Sequence, residues 1–308
     1  IEIHNPDTTT ANLAGWKLTN GPDFTFPAGT SIPAGGFLVV AANPTALQGA
    51  VSISSPVLGP WKAGDGLSNR GETITLVNVA EVIVDSVDYA DEGDWATRTR
   101  DSLGGWSWVT PANGGGRSLE RRNPKLPFTN GQNWGASNAV GGSPGATNSL
   151  LTANVAPLIT HVKHAPAVPT SANPVTISAR ISDESTASNL AVTLFWRNAT
   201  TVSPGAFQSA VMSHLDGGTF TVGLAPLPDK SVVEFYISAN DGTNTRTWPA
   251  ATNEGQNANA AYQVDNDVPA GNAPVYRLVL TAAENAAFNT YITSATPPGP
   301  PGPGGPGG

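Results

Sequence analysis

Short runs of alternating apolar and polar residues, separated by turn-forming residues, recur through most of this chain. The apolar members of four such runs are Val175, Ile177, Ala179 and Ile181; Val192, Leu194 and Trp196; Phe220, Val222 and Leu224; and Val233, Phe235, Ile237 and Ala239. Because the side chains of a strand point alternately to its two faces, each run predicts a strand with one buried face. The Pro- and Gly-containing breaks predict tight turns. Strands at this spacing constrain the second half of the chain to a β-sandwich.

Composition narrows the class of protein further. The chain has 308 residues, enough for two ordinary domains, and its 34 Gly and 27 Pro favour strands and turns over helices. The absence of cysteine excludes disulfides, thiol catalysis and zinc-thiolate sites. We find no apolar run of about 18 residues, so we expect no membrane span. The net charge of −8 does not provide the basic field that a duplex-binding surface needs.

The first 149 residues show the same strand pattern. Trp16 and Leu18 alternate with polar neighbours, as do Phe24 and Phe26. The apolar run 37–41 predicts a strand that is covered on both faces or lies at the centre of a sheet. Segments 72–77 and 81–87 predict a hairpin that turns around Asn78.

Eight short segments of this region act as landmarks. They are 1–6 (IEIHNP), 15–18 (GWKL), 24–27 (FTFP), 71–76 (GETITL), 85–89 (DSVDY), 118–121 (SLER), 133–135 (NWG) and 143–145 (SPG). In order and spacing they resemble the lamin tail domain, an immunoglobulin-like β-sandwich found in nuclear lamins and in many secreted bacterial proteins. The resemblance implies a module that binds or spaces and does not catalyse.

Residues 155–266 resemble the fibronectin type III or immunoglobulin-like spacers of bacterial surface proteins, most clearly over 233–241 (VEFYISAND). Residues 273–295 then change character. A short strand over 274–280 precedes a helix that Thr281 can cap, with Glu284 placed as in a capping box. This segment resembles the opening of the spore-coat kinase-like CotH domain. Glycine recurs at every third position from 299 to 308, and the Pro/Gly-rich stretch 296–308 predicts an extended, disordered tail.

We therefore predict an all-β chain of two tandem immunoglobulin-like β-sandwiches, residues 1–149 and 155–266. A short strand–helix segment, the truncated start of a CotH-like domain, and the disordered tail follow them. Because the chain opens inside a predicted strand and without Met, we expect it to be a fragment or a processed product.

Tryptophan supplies the candidate ligand-binding residues. Trp16 and Trp134 belong to the lamin-tail landmarks, so we expect them to be structural. Trp61, Trp95, Trp106 and Trp108 lie near predicted loops, and exposed aromatic faces on a β-sandwich can stack on sugar rings. Trp106 and Trp108 are two residues apart and should share one face of a strand. Packing in the core or in turns is the competing interpretation of all four.

Metal and catalytic chemistry receive little support. We expect surface or turn roles for His4, His161, His164 and His214, because no further ligand spacing accompanies them. We predict no cofactor and no metal site. Calcium is the one cation considered, since carboxylates at strand ends can bind it, but solvated loop charge is the favoured interpretation. The acidic groups concerned are Asp88, Asp91, Glu92 and Asp94, and Asp183, Glu184, Asp241, Asp265 and Asp267. We find no GxSxG elbow, dinucleotide fingerprint or Walker loop, so we predict no catalytic residue.

One basic cluster contains Arg117, Arg121, Arg122 and Lys125. Nuclear lamin tails are linked to DNA and protein binding, so the resemblance raises a nucleic-acid role, but acidic neighbours and the net charge oppose it. Charged residues that guard a strand edge are the alternative interpretation.

These observations predict a non-catalytic interaction and spacing module of a secreted or cell-surface bacterial protein. Its partner would be a protein, a cell-envelope component or a glycan, and not nucleic acid. Two alternatives remain: the targeting portion of a larger CotH-like kinase protein, and a carbohydrate-binding module.

Overall fold

The computed structural model describes residues 1–101, 105–267 and 275–294. Contacts divide the chain into two compact units. The first contains residues 1–158 with segments 182–186 and 250–257, and the second contains 159–181, 187–249 and the C-terminal segment from 258. The predicted Pro/Gly tail at residues 296–308 lies outside the described residues.

The first unit is built from short strands. They are β1 (Glu2–His4), β2 (Ala11–Asn12), β3 (Lys17–Thr19), β4 (Phe24–Thr25), β5 (Ser31–Ile32), β6 (Phe37–Val40), β7 (Val57–Leu58), β8 (Gly71–Val77), β9 (Ile83–Ala90), β10 (Thr97–Arg100), β11 (Trp106–Val109), β12 (Leu119–Arg121) and β13 (Trp134–Ala136). One sheet has the order β1–β6–β7 and another the order β4–β3–β8–β9. The pairs β2–β5, β10–β11 and β12–β13 form ribbons.

The core of this unit comes from the alternating segments that the sequence pattern picks out. Its buried side chains are Leu13, Leu18, Phe26, Ile32, Leu38, Val40 and Leu76, with Trp16, Phe24 and Trp61 packed against them. In β6, three consecutive residues are buried, as predicted for a strand covered on both faces. Each fully buried aliphatic or aromatic side chain contributes about 1.5–3 kcal/mol, so these residues hold the strands together.

The predicted hairpin is present as β8 and β9. The side-chain oxygen of Asn78 accepts hydrogen bonds from the backbone N–H groups of Ala80 and Val82, which fixes the turn. Glu81 has a left-handed backbone with φ of 58°, so it completes the turn. The second strand therefore begins at Ile83, two residues later than predicted.

A seven-residue helix, α1 (Pro44–Ala50), was not predicted from the sequence. Asn43 caps the start of this helix, since its side-chain oxygen accepts a hydrogen bond from the N–H of Ala46 at 2.9 Å. Pro44 occupies the first turn, where its missing N–H costs nothing. None of its residues is buried, so no apolar periodicity marks it in the sequence.

The second unit contains longer strands. They are β14 (Leu158–Ala165), β15 (Val175–Ser182), β16 (Ala191–Asn198), β17 (Gln208–Val211), β18 (Ser213–His214), β19 (Thr219–Leu224), β20 (Val232–Asn240), β21 (Thr245–Trp248) and β22 (Ala260–Gln263). One sheet has the order β14–β15–β19–β18. The other has the order β17–β16–β20–β21, and β22 also pairs with β20. The four alternating runs of the sequence become β15, β16, β19 and β20, as predicted.

The inward faces of these strands form one core. The most deeply buried side chains, each 0% exposed, are Ile159, Ile177, Leu194, Val233, Ile237 and Ala239. Alternation is strict in β15, where buried residues occupy every second position. The prediction of an all-β, immunoglobulin-like fold is confirmed.

The C-terminal helix, α2 (Ala282–Ser294), is present with its predicted capping box. The hydroxyl of Thr281 accepts from the N–H of Glu284, and the Glu284 carboxylate accepts from the N–H of Thr281. The predicted strand over 274–280 is wrong where the structure describes it, since residues 275–280 are irregular. Tyr276 and Leu278 are 94% and 80% exposed, so little of either side chain is buried.

Candidate interaction site

Two of the candidate tryptophans lie together on the ribbon of β10 and β11. The register pairs Arg98 with Trp108 and Arg100 with Trp106, so two arginines and two tryptophans share one face. The guanidinium carbon of Arg100 lies 4.3 Å from the ring centre of Trp106, and that of Arg98 lies 5.5 Å from the ring centre of Trp108. Such cation–π pairs stabilise the ring orientations, and we call these four residues the Trp–Arg face.

The arginines of the Trp–Arg face are themselves anchored within the first unit. Arg98 donates to the backbone oxygen of Ala250 at 2.7 Å, and Arg100 forms an ion pair with Glu254 at 3.1 Å. Burial lowers the pKa of Arg98. Trp108 is still 40% exposed, so part of its ring surface is open to a ligand.

Trp61 and Trp95 make separate contacts. Trp61 packs against the core and donates its indole N–H to the backbone oxygen of Asp65 at 3.2 Å. Trp95 lies against Trp134, with ring centres 5.9 Å apart. The structure therefore brings together Trp106 and Trp108 and gives Trp61 and Trp95 packing contacts. A ligand-binding role for the four residues stays a prediction.

Glu120 is a buried carboxylate whose role the sequence did not reveal. It lies in β12, is 3% exposed, and accepts hydrogen bonds from the hydroxyls of Ser118, Ser143 and Ser149 and from the N–H of Leu150. Burial alone would raise its pKa, but these four donors outweigh burial and hold the pKa below its ordinary value. Glu120 thus joins β12 to the 143–150 loop as an ionised group with its acceptor sites satisfied.

The same loop reaches the first strand of the unit. The N–H of Gly145 donates to the carboxylate of Glu2, and the hydroxyl of Ser55 donates to the backbone oxygen of Gly145 at 2.7 Å. Burial raises the pKa of Glu2, with the nearby Glu120 charge adding to the rise. Glu2 and Glu120 both accept hydrogen bonds from the 143–150 loop, so these two carboxylates hold the loop in place and are not an acid–base pair.

The arginines of the basic cluster donate to backbone carbonyl groups. Arg121 donates to the oxygens of Pro124 and Leu126 at 2.9 and 2.8 Å, and Arg122 donates to the oxygen of Trp134 at 3.0 Å. Burial lowers the pKa of both guanidinium groups. Arg117 likewise donates to the oxygen of Ser137. A phosphate ligand would have to compete with these bonds.

The histidines pack mainly against other side chains. His4 stacks on Phe37 with ring centres 4.6 Å apart, and His164 stacks on Tyr262 at 5.0 Å. His214 lies against Phe220, while His161 contacts the hydroxyl of Thr160. Across residues 1–101, 105–267 and 275–294, no group of three or more His, Cys, Asp or Glu side chains is arranged to hold a metal ion.

Asp265, one of the carboxylates considered for calcium, is bound to two cations. It accepts from Lys230 at 2.5 Å and forms an ion pair with Arg277, and the N–H of Asp267 donates to it at 3.0 Å. These contacts, led by the bond from Lys230, lower the pKa of Asp265. Calcium at this carboxylate would have to displace both cations, and calcium binding by the chain stays a prediction.

Comparison with known families bears on the first unit. Strands β1 to β9 lie within the first 90 residues and form the two larger sheets and the β2–β5 ribbon, which surround the main core cluster of the unit. Residues 1–91 match the Lamin Tail Domain. We call these residues the lamin-tail segment, and the resemblance seen in the sequence is confirmed over that range. No curated protein matches the chain.

The lamin-tail segment is smaller than the unit that contains it. It ends just after β9, whereas the compact unit continues to residue 158 and includes β10 to β13. Of the candidate tryptophans, only Trp61 lies inside the segment. The Trp–Arg face and Glu120 therefore lie on the part of the unit that the family match does not cover. In the residues described, no helix is long and apolar enough to cross a lipid bilayer.

Proposed function

We propose that this chain is a non-catalytic interaction and spacing module of a secreted or cell-surface bacterial protein. The observation that carries the proposal is the lamin-tail segment, because its immunoglobulin-like fold presents loops and strand edges on a rigid scaffold. The hydrogen bonding of Glu120 and Asp265 supports it, since these buried carboxylates are engaged in structural contacts and not poised for proton transfer.

The second unit would serve as the spacer in this proposal. Its sheets, β14–β15–β19–β18 and β17–β16–β20–β21, are compatible with a fibronectin type III-like sandwich. The resemblance of residues 273–295 to the start of a CotH domain supports a parent protein in which such modules deliver a kinase-like domain to its target. Both assignments belong to the proposal.

A nucleotide-binding measurement tests the non-catalytic assignment. We expect titration calorimetry of the full chain with Mg-ATP to give no heat of binding. The reason is that no described residue cluster offers the metal ligands and phosphate-binding loop that nucleotide binding needs. Tight, magnesium-dependent binding of ATP would contradict the proposal, and the same titration without magnesium is its control.

Carbohydrate binding is a second candidate, favoured by the 40% exposure of Trp108, whose ring lies 5.5 Å from the guanidinium carbon of Arg98. If the chain binds glycans through this ring, Trp108→Ala should abolish the signal on a glycan array, because stacking on one aromatic ring supplies much of such binding. Val109→Ala is the matched control, since Val109 is the 50% exposed neighbour whose side chain points to the other face of the ribbon. Equal glycan signals from the two variants would exclude the Trp–Arg face as the binding surface, provided that both keep the wild-type melting temperature.

A further inference from the structure

Strand β9 is a long strand at the edge of its sheet. The order β4–β3–β8–β9 leaves one side of its eight residues facing away from the sheet. Among the described parts of the chain, no backbone hydrogen bond joins residues 83–90 to any segment other than β8. An open strand edge is a template for another chain, and proteins commonly block such edges.

Two other edge strands, β14 and β4, show the usual forms of protection. In β14, which is also eight residues long, His161 has a left-handed backbone with φ of 51° and Lys163 is exposed. Pro166 follows that strand directly. The opposite edge of the β9 sheet is β4, which has only two residues. These features limit pairing at β14 and β4.

Strand β9 lacks lysine, proline and left-handed residues. Its one irregularity is a bulge near Ile83 and Val84, opposite the Leu76–Val77 step, so residues 85–90 remain regular. Ile83 and Val84 are 62% and 49% exposed. Apolar side chains beside a regular open edge favour contact with a second strand.

The charges of β9 decide which strand would bind. Asp85 and Asp88 are exposed and three residues apart. Like charges directly opposite one another in a β-ladder are destabilising, and opposite charges stabilise the pairing. A strand with cations at the same spacing would place an opposite charge against each carboxylate.

We propose that β9 binds an extended, cationic strand of a partner protein by β-augmentation. Two Lys or Arg residues of that strand, three residues apart, would face Asp85 and Asp88. Its apolar residues would pack beside Ile83 and Val84. The inference rests on the proposed function, because it names the class of partner that the interaction module takes.

Fluorescence anisotropy with a defined peptide tests this proposal on the full chain. The probe is the labelled octapeptide Thr-Val-Lys-Val-Thr-Lys-Val-Thr, which carries its two lysines at the required spacing. We expect saturable binding that weakens as salt is added, because exposed charge pairs are screened. The double variant Asp85→Lys/Asp88→Lys should bind the probe about tenfold more weakly, because two attractive pairs become repulsive.

Matched controls separate pairing from net charge. Asp7→Lys/Asp216→Lys makes the same change in charge at exposed positions away from β9, and we expect its affinity to stay within about twofold of wild type. The peptide with glutamate in place of both lysines should not bind. Asp85→Asn/Asp88→Asn keeps the side-chain shape and removes only the charges, so it should weaken probe binding while it keeps the wild-type melting temperature.

Hydrogen exchange locates the binding strand. The proposal expects the probe to slow exchange of backbone amides within residues 83–90. Absence of binding, equal loss of affinity in the two lysine double variants, or protection confined to other strands would overturn it. Dimerisation of the chain through β9 would also overturn it, in favour of a second copy as the occupant. These outcomes are independent of the Mg-ATP titration, so failure here is distinguishable from failure of the proposed function.

Discussion

Replacing Glu120 with alanine is expected to lower the free energy of unfolding of the first unit by about 3 kcal/mol. The substitution removes the common acceptor of the Ser118, Ser143 and Ser149 hydroxyls and of the Leu150 N–H. Hydrogen bonds to a charged group are stronger than those between neutral groups. Donors left without a partner in a buried position also carry the cost of their lost solvation.

Thermal unfolding followed by circular dichroism would measure this effect. For a unit of about 170 residues, a loss of about 3 kcal/mol corresponds to a fall in melting temperature of about 10 °C. Glu92→Ala is the control, because Glu92 is exposed and its side chain takes no part in the Glu120 contacts, so a change within about 0.5 kcal/mol is expected. Equal melting temperatures for the two variants would show that the 143–150 loop does not depend on Glu120.

The dependence on pH gives a second measurement of the same group. The pKa of Glu120 is lower in the folded chain than its ordinary value, so the carboxylate stabilises the fold fully above the unfolded pKa of about 4.3. This contribution is lost as the pH falls through the folded pKa. The difference in stability between wild type and Glu120→Gln should therefore be largest near pH 7 and shrink below about pH 4. A constant difference across that range would contradict the proposed ionised state.

Replacing Leu194 with alanine should destabilise the second unit by about 3 kcal/mol, within the usual range of about 2–5 kcal/mol for such truncations. Leu194 is 0% exposed at the centre of β16 and belongs to the core formed with Ile177 and Ile237. The truncation removes buried apolar surface and leaves a cavity that the surrounding strands can fill only in part.

Urea unfolding of Leu194→Ala would measure this loss as a lower midpoint. The same substitution at Leu215 is the control, because Leu215 is 67% exposed and its truncation should change the free energy of unfolding by less than about 0.5 kcal/mol. If both variants unfolded at the wild-type midpoint, the assignment of Leu194 to a close-packed core would be wrong.

The features that could be predicted from the sequence are the local ones. Alternation over a few residues was enough to place β15, β16, β19 and β20, and adjacent signals at Thr281 and Glu284 were enough to place the start of α2. Helix α1 was missed because none of its residues is buried and it has no apolar face to read. The strand expected over 274–280 failed because an apolar segment becomes a strand only where a neighbour pairs with it.

In the candidate site, too, only the local features could be predicted from the sequence. The common face of Trp106 and Trp108 follows from their spacing, but the arginines opposite them depend on the register of the ribbon. Glu120 could not be identified because Ser143, Ser149 and Leu150 are 23 to 30 residues away along the chain. Contacts at such separations are set by how loops close over the sheets, which residue patterns do not specify.

The hydrogen bonds between the 143–150 loop and residues Glu2 and Ser55 determine where the chain can be shortened without loss of contacts in the first unit. The bond from Gly145 joins Glu2 of the opening strand to a residue 143 positions later, and the bond from Ser55 reaches the same loop. The lamin-tail segment therefore does not contain all the contacts of its own first strand. A shortened protein that ends at residue 91 would lack Gly145, so the carboxylate of Glu2 in the opening strand would lose its hydrogen-bond donor. A boundary that keeps the first unit whole must also keep segments 182–186 and 250–257, because both belong to the same compact unit.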